Sequence, residues 1–184
     1  MNRPKTLLSA LNELNTKLSI NDIHIELTIV GSMAIYLNGL NFTRMTEDID
    51  YINYEASDEF LNIVEHISKE FNLPSYWINS RAKEIDPLPQ ELKNKLKSDN
   101  RYSNIALKYI DIETAIIMKV YAYYIRGLEK DLSDLKTLSP SSDQLSKGID
   151  YIKMQIIHHH GKSQYEKDAA EIARFLEFLK HELN

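Results

Sequence analysis

The chain has 184 residues, 43% of them hydrophobic and 27% charged, with a net charge of −5 and no cysteine. That length and balance suit one folded domain, or one domain with a helical extension. The acidic balance argues against a broad basic face for nucleic acid, though it leaves room for a local basic groove, and the lack of cysteine excludes disulfides and thiolate metal sites.

The N-terminus, MNRPKTLLSALNELNTKL, is amphipathic and lacks the continuous apolar core of a signal peptide. No run approaches the roughly 18 apolar residues of a membrane span. A soluble, cytoplasmic protein with no membrane partner is therefore expected. Leu7, Leu8, Leu11, Leu14 and Leu18 recur at helical spacing and predict a helix over 4–19. IHIELTIV (23–30) is rich in β-branched residues and predicts a strand. Gly31-Ser32 closes it, and MAIYLNG predicts a short helix with Gly39 near its end. EDIDYINY (47–54) reads as a second strand. Residues 57–71 predict a helix, with Ser57 as N-cap and Phe60, Leu61, Val64 and Ile67 facing inward.

PSYWIN (74–79) reads as a short third strand. Residues 80–100 are polar, hold Pro87 and Pro89, and predict a loop with a helical turn or two at QELKNKLK. SNIALKYI (103–110) reads as a fourth strand. From Asp111 onward the pattern is helical, over 111–126, 128–138, 141–159 and 163–182, with Gly127, Pro140 and Gly161 as punctuation. The expected class is α+β: a small mixed β-sheet flanked by helices over 1–110, then a C-terminal helical bundle over 111–184.

Within the second strand, Asp48 and Asp50 stand two residues apart, so they project to one face while Ile49 and Tyr51 take the other. Two like charges at that separation repel, and an unpaired buried carboxylate is costly. A hard divalent cation resolves the conflict, because Mg²⁺ takes one or two carboxylates and completes its shell with water and phosphate oxygens. The plain alternative is an exposed edge strand with solvated aspartates, or a pair held by Arg44. Gly31-Ser32 adds a turn where backbone can approach an anion closely; alone, it reads as an ordinary N-cap serine. Together these elements are the equipment of phosphoryl or nucleotidyl transfer, where positioning and charge neutralisation do most of the catalysis.

Gly31-Ser32 followed by Arg44-x-Thr46-x-Asp48-Ile49-Asp50 resembles the signature of the DNA polymerase β-like nucleotidyltransferase superfamily. The Arg-x-Thr-x-Asp-Ile-Asp form is similar to the AbiEii-type branch, the bacterial abortive-infection and type IV toxin–antitoxin nucleotidyltransferases. The resemblance covers roughly residues 25–140. It implies a nucleotidyltransferase fold, Mg²⁺ (or Mn²⁺) on Asp48 and Asp50, and a nucleoside triphosphate as substrate. It also implies Gly31, Ser32, Arg44 and Thr46 near that nucleotide, a tRNA or protein hydroxyl as acceptor, and a cognate antitoxin as partner.

A second block points the same way. On DIETAIIMKVYAYYIR, Ile112, Ala115, Ile116, Val120 and Tyr123 form an apolar stripe with Lys119 in its middle, and Arg126 follows one heptad later. On the next helix Leu128, Leu132, Leu135 and Leu138 make the apolar face, Asp131 sits within it, and Asp134 is nearer its flank. A lysine on a core face needs an anion or a path to water, and spacing alone favours a Lys119–Asp131 ion pair. Lys119-Val-Tyr-Ala122, Arg126 and Lys130-Asp131-Leu-Ser-Asp134-Leu135 resemble the later AbiEii-like blocks. By that resemblance Lys119 and Asp131 join the active site, with Lys119 on triphosphate oxygens and Asp131 orienting it or activating the attacking hydroxyl, so the helical region completes the site.

One departure stands out. Many superfamily members supply a third metal carboxylate from a later strand, whereas neither PSYWIN nor SNIALKYI holds an acid. Asp111 reads as an N-cap, and Glu84 and Asp86 as loop acids. His158-His159-His160 reads as an exposed helix end, since consecutive residues do not converge on one ion. Trp77, Tyr76, Tyr121, Tyr123 and Tyr124 are able to stack a base, but Tyr123 lies on the inner stripe. Three readings follow: a nucleotidyltransferase, a catalytically degenerate binding module of the same fold, and a structural protein whose charges are solvated or paired.

Overall fold

The computed structural model describes residues 3–40, 46–81 and 95–183. The chain divides into two compact units, Met1–Asp111 and Ile112–Asn184. No described helix is long and apolar enough to cross a membrane.

The first unit runs α1 (Arg3–Ile20), β1 (Ile25–Val30), α2 (Gly31–Leu37), β2 (Ile49–Tyr51), α3 (Asp58–Glu70), β3 (Ile78–Asn79), β4 (Lys97–Asp99) and β5 (Ile105–Tyr109). The strands form one mixed sheet in the order β3-β2-β1-β5-β4. β1 is its centre, antiparallel to β2 and parallel to β5, and β3 lies parallel to β2. A central strand packed on both faces reads as a nearly unbroken apolar run. Five of the six β1 residues are buried, all but Glu26; that carboxylate meets Lys108 of β5 at 2.9 Å. Leu7, Leu11, Leu14 and Leu18 of α1 are wholly or almost wholly buried, as are Leu27, Ile29, Ile49 and Tyr51 of the sheet. Ser57 caps α3 by accepting from the Phe60 N–H. The mixed sheet with flanking and C-terminal helices agrees with the α+β class.

Several expectations are corrected. The strand predicted over 47–54 is only Ile49–Tyr51. Side chains take over at both ends: the Thr46 hydroxyl donates to the Asp48 carbonyl, and the Asn53 side-chain Oδ1 accepts from the Thr28 N–H. Of PSYWIN only Ile78 and Asn79 are strand. A turn precedes them, closed by the Trp77 N–H on the Pro74 carbonyl at 3.0 Å. Lys97–Asp99 is an edge strand that composition hides, since Lys-Ser-Asp has no β-branched or aromatic residue. Most of the helix expected at QELKNKLK lies outside the described residues. Leu61, expected inward, is 50% exposed.

The second unit holds four helices, α4 (Ile112–Arg126), α5 (Glu129–Leu138), α6 (Ser142–His160) and α7 (Lys162–Leu183). Ile116, Val120, Leu132, Leu135, Leu145, Ile152, Ile156, Ile172 and Leu179 make its core. Ser141 and Gln144 form a complete capping box at the start of α6. Leu128, expected on the apolar face of α5, precedes that helix and is 43% exposed.

α4 and α6 approach so closely that a Cβ at Gly148 would lie 2.7 Å from Val120 Cγ1. Alanine there would gain helix propensity but overpack a branched core residue, so Gly148→Ala should destabilise the protein by about 1–3 kcal/mol. Urea unfolding should show this, and adding Val120→Ala should recover part of the loss; a more stable Gly148→Ala protein would refute the close crossing.

Candidate active site

The turn from β1 into α2 and the start of β2 bring together the first group of sequence-predicted residues. Gly31 has φ +66°, a left-handed conformation that side-chain-bearing residues resist. The β1–β2 register sets Val30 opposite Asp50, which lays the Asp50 carboxylate against the glycine. A Cβ at position 31 would stand 3.1 Å from Asp50 Oδ2. Glycine is thus favoured by its backbone angle, and a Cβ there would also press on the carboxylate beside it. Ser32 follows in the first turn of α2 and is buried.

Asp48 immediately precedes β2 and Asp50 lies within it. Ile49 and Tyr51 are buried while Asp48 and Asp50 are half-exposed, the alternation expected of one carboxylate-bearing face. Asp48 is approached by the Asn79 amide, Nδ2 to Oδ2, at 3.4 Å. Thr46 is buried, and its hydroxyl donates to the Asp48 carbonyl at 3.0 Å, so it holds the turn that delivers Asp48 to the sheet. Burial pushes the Tyr51 phenol up, and the Ser80 side chain pulls it partly back; no third negative charge arises from it near neutral pH. Arg44 lies outside the described residues, as do Glu84 and Asp86.

Chemically, two half-exposed carboxylates beside a close-approach glycine suit a hard cation that brings its own phosphate oxygens. Among the described residues no three His, Asp or Glu side chains gather in a group able to hold a metal.

The second unit gathers the other group. Lys119 Nζ lies 3.1 Å from Asp131 Oδ1 and 2.6 Å from Asp134 Oδ2. Arg126 Nη2 donates to both Asp131 oxygens, at 3.0 and 2.9 Å. Both aspartates are fully buried and Lys119 nearly so. Asp134, expected nearer the flank, is as deep as Asp131 and the nearer of the two to Lys119. Its signal was in the sequence: Asp131 and Asp134 are three apart, hence on one helix face. Two cations meet two anions here, so the cluster is neutral as a whole.

Trp77 is fully buried and its indole N–H donates to the Val64 carbonyl at 3.1 Å, so it belongs to the core. Tyr121, Tyr123 and Tyr124 pack on Tyr151, Phe175 and Phe178. Tyr76 is 41% exposed, with the Arg81 guanidinium 4.7 Å over its ring. His158, His159 and His160 end α6 on its exposed side.

Removing one member of a buried ion cluster leaves another charge uncompensated. Asp131→Ala should cost about 3 kcal/mol, the lower end for such a break, because Lys119 keeps Asp134 and Arg126 reaches water. Denaturant unfolding would measure it, and a loss indistinguishable from zero would show that the cluster contributes nothing to stability.

The model of one protein family, described as "Nucleotidyltransferase of unknown function (DUF6036)", matches residues 5–182. No curated protein and no solved structure matches the chain. The family match runs from the first helix into the last and includes Gly31, Ser32, Asp48 and Asp50, and the chain belongs to this nucleotidyltransferase family.

Proposed function

We propose that the protein moves a nucleoside monophosphate from a nucleoside triphosphate to a hydroxyl acceptor, with Mg²⁺ or Mn²⁺ held by Asp48 and Asp50. The observation that carries this reading is the apposition of Asp50 to Gly31, 3.1 Å from where a Cβ would stand. It sets a carboxylate-bearing strand against a glycine backbone, which lets a phosphate approach closely. Membership of a nucleotidyltransferase family supports the reaction class.

The roles follow from chemistry. Asp48 and Asp50 would hold the divalent cation, and their carboxylates would face the triphosphate's phosphate oxygens. Gly31 and Ser32 leave room for phosphate oxygens at the turn into α2. The acceptor oxygen attacks the α-phosphorus and forms the new P–O bond; the α–β bridging bond breaks, its electron pair leaves with pyrophosphate, and the acceptor's proton passes to solvent. A bound divalent cation supplies Lewis-acid neutralisation of phosphate charge.

The AbiEii-like Arg44-x-Thr46-x-Asp48-Ile49-Asp50 block favours a tRNA 3′ end or a protein hydroxyl as acceptor, and a toxin paired with a cognate antitoxin as the setting. The same resemblance assigns Lys119 to triphosphate oxygens and Asp131 beside it. A Lys119→Ala protein that folds and transfers normally would remove both from the site.

A second reading is a catalytically degenerate module that binds nucleotide without turnover. The observation favouring it is the amide of Asn79, not an acid, at the strand position paired with Asp50.

The deciding experiment incubates the protein with each α-labelled nucleoside triphosphate, Mg²⁺, total tRNA and a cell extract, beside Asp48→Asn. Label on one macromolecule, lost in the variant by about a hundredfold or more, is the expected result for removal of a charge-stabilising group. Equal labelling by Asp48→Asn would overturn the site. Stabilisation by Mg²⁺-nucleotide with no label and no pyrophosphate would favour the degenerate module, since a ligand bound only by the native state must raise its melting temperature.

A further inference from the structure

Asn79 is the last residue of edge strand β3, and the parallel β2–β3 ladder pairs it with Asp50. In-register neighbours on adjacent strands share a face, so Asn79 joins the face that carries Asp48 and Asp50.

Its carboxamide is oriented by the chain around it. Oδ1 accepts from the Arg81 N–H at 3.0 Å, and Nδ2 donates to the Tyr76 carbonyl at 3.1 Å. A backbone donor on one side and a backbone acceptor on the other fix which end is nitrogen, independently of Asp48. Nδ2 also lies 3.4 Å from Asp48 Oδ2. The contact is long, but it sets a donor against an anion.

A carboxylate at position 79 would place an oxygen against both the Tyr76 carbonyl and Asp48 Oδ2. The local backbone therefore favours an amide where the sheet register could have offered a third acid. Asp48 in turn has one oxygen directed at a fixed donor, which limits the rotation of its carboxylate.

We infer that Asn79 is a positioning residue: it orients Asp48 for the divalent cation and adds no further carboxylate from its own strand. The inference rests on the nucleotidyl-transfer reading of Asp48 and Asp50.

The test titrates MnCl₂ into the 184-residue chain, reading half-saturation by water-proton relaxation and the thermal midpoint alongside. Four proteins are compared: wild type, Asp48→Asn, Asn79→Ala and Asn79→Asp. Wild type should bind Mn²⁺ and Asp48→Asn should lose it. Asn79→Ala should weaken half-saturation about tenfold, the lower end for losing a partner of a metal-binding carboxylate. Asn79→Asp keeps the acceptor for Arg81 and turns the donor into a third carboxylate. It should lower the metal-free thermal midpoint yet tighten Mn²⁺ several-fold. A merely structural Asn79 would lower both thermal midpoints and leave both half-saturation values within about twofold of wild type, and that result overturns the inference. No Mn²⁺ binding by wild type, or equal binding by Asp48→Asn, sinks the underlying site and this role with it.

Discussion

Val30 stands opposite Asp50 in the β1–β2 ladder, and the arrangement of the candidate site depends on that pairing. Side-chain direction alternates along a strand, so a slip of one residue would turn both Asp48 and Asp50 into the core. The buried Ile49 and Tyr51 hold the register, since the same slip would expose them to water. The apolar half of β2 thus aims the charged half. Gly31 then accepts the consequence, because the carboxylate delivered by this register crowds the space where any other residue would carry a Cβ.

The elements around that pairing are short, and side chains finish what the ladder does not. Thr46 closes the turn before β2, and Asn53 takes the Thr28 N–H beyond it. Asn38 donates to the Ala34 and Ile110 carbonyls and accepts from Lys97, joining the end of α2 to the β5 side of the sheet. Such bonds satisfy backbone groups that a three-residue strand leaves open. They also fix the ends of β1 and α2, the two elements between which Gly31 sits.

Much of this was legible in the sequence where the signal is periodic. The leucines of α1 and the four C-terminal helices announce themselves by spacing, and the observed helix ends fall within one residue of those expected. Asp48 and Asp50 were legible because charge violates the expected pattern of a strand. What escaped lacks a periodic or compositional mark. β4 is three polar residues whose strand form comes from pairing with β5. Asn79 is an unremarkable residue in sequence, and its placement depends on a register between strands far apart in the chain. Leu128 and Leu61 obey the helical repeat yet face solvent, because periodicity shows which face a residue shares and not whether that face is covered.

The two groups of charges differ first in burial. In the second unit Lys119 and Arg126 meet Asp131 and Asp134 at 2.6–3.1 Å, charge for charge, with both carboxylates fully buried. An arrangement already neutral gains little from a further ion, and opening it would strand a charge in the core. At the head of β2 the carboxylates are less deeply buried. Asp48 and Asp50 share one half-exposed face, and the donor beside Asp48 is a neutral amide at 3.4 Å. A dipole orients a carboxylate but does not cancel its charge. Like charges fixed on one face by a buried strand attract a cation most strongly when one arrives with its own anionic ligands to complete the shell. A metal-bound triphosphate has that composition, which is the fit on which the proposed transfer at Asp48 and Asp50 rests.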